Sequence, residues 1–358
     1  MTTPDILHQI LDAARWAPSG DNTQPWRFEI VDSQHVVVHG SDTRAHCVYD
    51  LDGHPSQIAL GALLETLSIA ATAFGLTAHV TRRIGTPDTA PTFDVQFSQS
   101  ADVHPDPLIP YIQRRSVQRR PMPTRALTAS EKTALEAAVG SGYRILWLEG
   151  ARNRFRAARL LFRNAKLRLT LPEAYRTHVA VIQWHARFSE DRVPDQALGV
   201  DPMTTRLMQW IMQSWSRVDF FNRYLAGTVV PRVQMDFIPA LACAAHFVIL
   251  ADHPPCTIDD YVAGGRATQR FWLTAASLEL QLQPELTPLI FSRYVRMKTS
   301  YSSLPDMIAK GPEVARQLEA VIGAPAAHAS VFMGRIGAGP AAAARSLRRP
   351  LYELTTVD

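Results

Sequence analysis

Ten consecutive residues, Ala17-Pro18-Ser19-Gly20-Asp21-Asn22-Thr23-Gln24-Pro25-Trp26, hold the densest set of groups able to grip a ligand. Ser19 and Thr23 offer hydroxyls, Asn22 and Gln24 offer amides, and Gly20 lets a ligand approach the backbone closely. Such a loop suits a polar, planar molecule. The same residues are also ordinary turn formers, so a plain turn is the competing reading. A second constellation is cationic. Arg114, Arg115, Ser116, Arg119 and Arg120 fall within seven residues. Guanidiniums beside a hydroxyl suit a phosphate through fixed charge and fork geometry, whereas a short basic run is also the common make-up of a solvated turn. Arg345, Arg348 and Arg349 form a smaller cluster that could converge on the same anion.

Other chemistries are excluded. Gly334, Gly337 and Gly339 read GxxGxG, which is not the dinucleotide order. Twelve histidines show no HExxH or paired-ligand spacing. Cys47, Cys243 and Cys256 form no CxxC pair, and GxSxG is absent. The 37 basic and 33 acidic residues leave a net charge of +4, too weak to argue for nucleic acid. With 46% hydrophobic residues and a mean hydropathy of -0.08, the 358 residues make a folded chain with a large core.

The elements that must position these groups follow from periodicity. Residues 5–16 carry Ile6, Ile10, Ala13 and Ala14 at helical spacing. WRFEIVD and HVVVHG read as strands, 58–76 as a buried helix, and HVTRRIG and PTFDVQFS as two more strands. The Pro- and Asp-rich SADVHPDPLIP reads as a linker. Thr128 and Glu131 have capping-box spacing before a helix over 128–139. YRILWLEG is a strand, and 151–169 is a basic helix with Arg152, Arg156, Arg159, Arg163 and Lys166 along one face. Residues 170–232, with Trp184, Trp210 and Trp215, read as a helical insertion. FIPALACAAHFVILAD is expected to be a buried strand, GGRATQRFWLTAASLELQLQP a helix and SVFMGRIGAG a late strand. Glu65, Thr66 and Ser68 interrupt the first apolar helix, so no membrane span is expected. No signal peptide is read at the start, and the expected location is the cytoplasm.

An echo runs through the chain at an offset of 204. GALLETLSIAATAFGL from Gly61 and GRATQRFWLTAASLEL from Gly265 share Ala71/Ala275 and Leu76/Leu280, although Gly75 faces Glu279. A true repeat and a chance match of two amphipathic helices are both open on this pattern alone.

AARWAPSGDNTQPWRFEI resembles the flavin-binding loop of the nitroreductase family, in which a helix ending in A-P-S is followed by N-x-Q-P-W and a strand. IQRRSVQRR resembles that family's phosphate-binding RRS-x-R segment. The two echoing helices resemble its core helix, and SVFMGRIGAGPAAAARSLRRPL its last strand and basic tail. In an ordinary member RRS precedes the A-P-S loop; here the order is reversed. The resemblance therefore implies an α+β, nitroreductase-like fold of two fused halves forming a pseudo-dimer, each a mixed or antiparallel sheet flanked by helices. The halves are 1–108 and 109–358, the second with an insertion at about 150–235 that could act as a lid.

The resemblance also implies one FMN between the halves, NAD(P)H as co-substrate and no side-chain acid or base. Pro18, Ser19, Gly20, Asn22 and Gln24 would hold the ring and ribityl chain. Arg114, Arg115, Ser116, Arg119, Arg348 and Arg349 would hold the phosphate, with Gln118 standing where the family has a second basic residue. Leu286 and Thr287 would offer backbone to the flavin N5 edge. The function implied is hydride transfer between NAD(P)H and a small acceptor: a nitroaromatic, quinone, enone or biosynthetic intermediate. An alternative is FMN sequestration under a closed insertion. A third, a nucleic-acid or membrane-surface binder, would use the Arg152–Lys166 face. The expected partner is a small molecule, and the expected assembly is a monomeric pseudo-dimer or a homodimer.

Overall fold

The computed structural model describes residues 3–356. The chain begins with α1 (Thr3–Ala14), which buries Leu7, Ile10, Leu11 and Ala14. It continues through β1 (Trp26–Ile30), β2 (His35–Gly40), α2 (His54–Ala71), β3 (Leu76–Arg82) and β4 (Thr92–Gln99). Trp26 and Phe28 of β1 are buried and Arg27 is exposed, the alternation of a strand with one covered face. Next come α3 (Ala129–Ala138), β5 (Tyr143–Glu149), α4 (Gly150–Thr170), α5 (Pro172–Val181), α6 (Pro202–Ile211) and α7 (Trp215–Tyr224). Then follow β6 (Ala245–Ala251), α8 (Ile258–Ser277), β7 (Leu280–Pro284), α9 (Thr287–Met297), α10 (Gly311–Ile322) and β8 (Ser330–Ala338).

Two four-stranded antiparallel sheets result, and the fold is α+β. The first has the order β1-β2-β4-β3 and the second β5-β6-β8-β7. The order is the same in both, and in each a long helix joins the second strand to the third. The offset of the sequence echo extends to the elements: α2 starts at His54 and α8 at Ile258, β3 at Leu76 and β7 at Leu280.

The two long helices cross at glycine. A Cβ on Gly61 would lie 2.0 Å from Val262 O, and one on Gly265 would lie 2.1 Å from Ile58 O. The cores interlock there. Ile58 of α2 packs in the second sheet's apolar cluster, and Ile258, Val262 and Leu273 of α8 pack in the first sheet's. Buried Glu65 reaches Arg266 at 2.9 Å and Arg270 at 2.8 Å, and Gln269 Nε2 donates to Thr66 Oγ1 at 2.8 Å. The stretch His54–Phe74 is long and apolar enough to cross a bilayer, but 78% of its window is buried in this packing.

The capping box forms: Glu131 N donates to Thr128 Oγ1, and Thr128 N donates to Glu131 Oε2. One expectation is corrected. Only Ala245–Ala251 of the FIPALACAAHFVILAD run is strand, while Val233–Leu241 winds into helical turns. Pro239 cannot donate to a ladder but fits the first turn of a helix. The 170–232 segment is largely helical. Asp201 caps α6 by accepting from Met203 N and Thr204 N. The basic face of α4 leans on α10, where Arg163 pairs with Glu313 at 3.7 Å. The C-terminal tail, assigned by sequence to the second half, returns to the first: Thr356 N donates to Phe28 O at 2.8 Å.

Candidate active site

Residues from the N-terminal loop, the insertion and the C-terminal tail line a cavity of about 410 Å³, a size that suits a small molecule or cofactor. Ten of the expected residues line it: Pro18, Ser19, Gly20, Asn22, Arg115, Ser116, Arg119, Leu286, Thr287 and Arg348. Gln24, Arg114 and Arg349 lie outside the lining. Arg114 is exposed and stacks over Tyr111 at 5.3 Å. Arg349 pairs with Asp191 at 3.4 Å and Glu353 at 3.6 Å. Gln118, buried, donates from Nε2 to Pro340 O.

Gln24 acts on the loop from behind. Its Nε2 donates to Asn22 O at 3.1 Å and Glu190 O at 2.8 Å, and its Oε1 accepts from Arg349 N at 2.9 Å. The loop needs this restraint. Asp21, Asn22 and Gln24 all have left-handed backbones, with φ of 50°, 64° and 50°. Such conformations cost non-glycine residues free energy and persist only where the surroundings over-determine them. Asn22 Nδ2 adds bonds to Glu190 O and Arg192 O, which leaves its buried Oδ1 with no hydrogen-bond partner.

Three arginines gather in the lining of the cavity. Arg115 is 3% exposed and Arg348 8%, and Arg345 sits beside them. Their hydrogen bonds go to carbonyls. Arg115 donates to Trp16 O at 2.9 Å, Arg348 to Ala17 O at 2.9 Å and Arg345 to Arg115 O at 3.2 Å. None of the three forms an ion pair among the described residues, and the buried Nε atoms of Arg115 and Arg345 have no partner. Burial, and then the neighbouring guanidiniums, push Arg348 down to about 9 and Arg115 well below its usual value. Buried cations arranged in this way call for a counter-anion. Arg115 also stacks on Trp272 at 4.5 Å.

A second polar group lines the cavity elsewhere. Arg168 of α4 pairs with Asp236 at 3.3 Å. Tyr49 Oη and His178 Nε2 are 2.9 Å apart. Burial pushes the Asp21 carboxyl up, with Arg119 and Arg168 opposing it. Burial, aided by Arg168, pushes His178 down to about 3, so its ring is neutral.

A third group backs the cavity at Glu285. His246 Nδ1 donates to Glu285 Oε2 at 2.7 Å, and Nε2 donates to Ala240 O at 2.9 Å. Both partners can only accept, so the ring carries both protons. Burial opposes that charge, but Glu285 outweighs it and raises His246 to about 10. Arg335 reaches Glu285 at 3.3 Å.

The helical segment after β5 supplies one wall, with Leu161 and Arg168 of α4, His178 and Val181 of α5 and Met208 of α6. Sequence reasoning missed Tyr49, Arg168, His178, Trp272, Glu285 and Arg335. Each is a single residue without a motif. Arg168 lay in the basic helix, Trp272 in the echoing helix, Glu285 beside Leu286 and Arg335 among the late glycines, but nothing in those signals singled them out.

The model of the nitroreductase family matches residues 2–54. "Uncharacterized protein MT1398" of Mycobacterium tuberculosis (strain CDC 1551 / Oshkosh) is 24% identical over 286 residues, 79% of this chain and 39% of that protein. "Putative NAD(P)H nitroreductase acg" of M. tuberculosis (strain ATCC 25618 / H37Rv) is 33% identical over 82 residues, 23% of this chain and 24% of that protein. The chain thus spans less than half the length of these curated relatives. Among solved structures, a nitroreductase-like family protein from Bacillus cereus is 12% identical with a TM-score of 0.33, covering 71% of this chain and 96% of that one.

Proposed function

We propose, from the nitroreductase family match over residues 2–54, that the chain is an FMN-dependent oxidoreductase, with one flavin per chain held between two fused halves. The observation that carries this reading is the trio at one end of the cavity, buried Arg115 and Arg348 with half-buried Arg345, which has no carboxylate partner among the described residues. A phosphate monoester supplies the missing anion and several acceptor oxygens. The rest of the cavity fits the remainder of the cofactor. Ile58, Ala59, Ala62 and Phe332 give apolar surface for a flat ring, and Asn22 Oδ1 is a buried acceptor in want of a donor.

Six arginines against three carboxylates in the lining favour an anionic occupant. Bound FMN would supply two-electron hydride chemistry at its N5. The protein's own part is positioning. Gln24 and Ser19 hold the strained loop, and the helical wall limits the access of water. One site per chain is expected because the A-P-S loop occurs only in the first half and the RRS segment only after the linker.

The wall from α4, α5 and α6 also favours a second reading, in which FMN is stored without turnover. The purified protein separates the two. A yellow protein with one FMN per chain that bleaches anaerobically with NADH or NADPH and is reoxidised by a quinone or nitroarene is the expected result. Bleaching by dithionite alone selects storage. A colourless protein that FMN does not reconstitute overturns both.

A further inference from the structure

Tyr49 and His178 line the same cavity but take no part in the anion site. Their oxygen–nitrogen distance is 2.9 Å, and Tyr49 packs edge-on against Phe291 at 6.2 Å. The charges around them differ from those at the anion end. Arg115, Arg345 and Arg348 bond to the carbonyls of Trp16, Arg115 and Ala17, whereas Arg168 pairs with Asp236 and Tyr49 with His178. The cavity therefore has two separate polar ends. At the second, Arg168 is matched by Asp236 and Arg119 faces the Asp21 carboxyl, so each cation there already has an acidic neighbour. Tyr49 offers a neutral hydroxyl to a cavity whose lining also includes the apolar Leu169, Val181, Ile182, Met208 and Met212. A nitro group offers two oxygens and wants two donors. A conjugated carbonyl offers one oxygen and an apolar body.

Resting on the flavoprotein reading above, we propose that Tyr49 is the proton donor for a neutral enone-class acceptor, with His178 positioning and reprotonating it. The acceptor takes a hydride from the reduced flavin at its β carbon, forming a C–H bond. The carbon–carbon π pair shifts toward the carbonyl, leaving an enolate, and the flavin is left oxidised by two electrons. The enolate oxygen takes the Tyr49 Oη proton, and the enol then ketonises. The tyrosinate takes the proton from His178 Nε2. A solvent proton adds at Nδ1, which makes no hydrogen bond among the described residues on a half-buried side chain. The acceptor has gained one hydride and one proton.

The test uses the full chain, loaded with FMN and reduced by dithionite, then mixed with 2-cyclohexen-1-one. Tyr49→Phe removes one hydroxyl. It should keep one FMN per chain and slow reoxidation by at least ~100-fold, the scale of general acid catalysis. Acetophenone, a carbonyl probe that is not reduced, should bind the oxidised variant about tenfold more weakly by flavin difference absorbance, the loss of one hydrogen bond. His178→Gln, which keeps a donor, should recover more of kcat than His178→Ala at similar KM. Unchanged reoxidation in flavin-loaded Tyr49→Phe overturns this proposal and spares the flavoprotein reading. So does an equal slowing with ferricyanide, which takes electrons and no proton. Loss of FMN from Tyr49→Phe assigns the hydroxyl to the cofactor and also overturns it. A wild-type protein without flavin overturns both.

Discussion

Gly61 and Gly265 face one another where α2 crosses α8. A Cβ on Gly61 would stand 2.9 Å from the Gly265 Cα, and one on Gly265 would stand 3.0 Å from the Gly61 Cα. Neither position has room for a methyl group, because the nearest atoms are backbone carbonyls of the opposing helix. Gly265→Ala must separate the helices and loosen both cores at once. Overpacking of this kind costs about 1–3 kcal/mol, and backbone on both sides puts the expected loss at the upper end. The midpoint of urea unfolding measures it; an unchanged midpoint would mean that the helices are farther apart.

At the anion end, register separates neighbours in sequence. Arg115→Ala and Arg348→Ala should each weaken FMN binding by about 10- to 100-fold, since a hydrogen bond to a charged group contributes about 1.5–3 kcal/mol. Arg114→Ala, on the exposed side, should leave binding nearly unchanged. Titration of apoprotein by flavin fluorescence checks all three. A large loss in Arg114→Ala with none in Arg115→Ala would place the phosphate elsewhere.

Gln24 should matter without touching the ligand. Gln24→Ala takes the donor from the Asn22 and Glu190 carbonyls and the acceptor from Arg349 N. Buried groups left unpaired cost about 1–3 kcal/mol each in the worst case. Lower stability and weaker FMN retention should therefore appear together. Retention at wild-type level in a destabilised variant would show that the left-handed loop holds its shape without the clamp.

The buried His246–Glu285 pair predicts a pH trend. The folded pKa of His246 is raised from 6.5 to about 10. Its stabilisation is complete below about pH 6.5 and is lost as pH rises toward 10. Burial works against the Glu285 carboxylate, but His246 and Arg335 hold it below its usual value, so its contribution is lost on the acid side. His54 and His178, lowered to about 4 and about 3, also lose stabilisation on acidification from 6.5 downward and are constant above it. Between pH 7 and 9.5 the wild-type unfolding midpoint should fall, and that of His246→Gln should fall less. Equal slopes would mean that His246 is neutral at pH 7.

Much of this architecture is legible in sequence where a local signal is strong. The Thr128–Glu131 box and the alternation in WRFEIVD read through, because each is set by bonds or packing within one element. Arg114 and Arg115 do not separate in sequence. Adjacent residues point in different directions, and only the docking of Val117 beside Leu282 fixes which one turns inward. Tyr49 and His178 are 129 positions apart, and no spacing rule relates a loop before α2 to a helix in the insertion. The strand expected from Phe237 onward failed at Pro239, where backbone chemistry overrode an apolar run.

The returning tail sets the order in which the cavity is assembled. During synthesis the loop that includes Asn22 emerges early, but the partners of Ala17 O and Gln24 Oε1 are Arg348 and Arg349. A nascent chain therefore presents a ring-side loop long before it owns an anion clamp. Tight capture of a phosphorylated ligand is deferred until Arg348 and Arg349 have left the ribosome. Clipping the last dozen residues should abolish it while leaving both sheets intact.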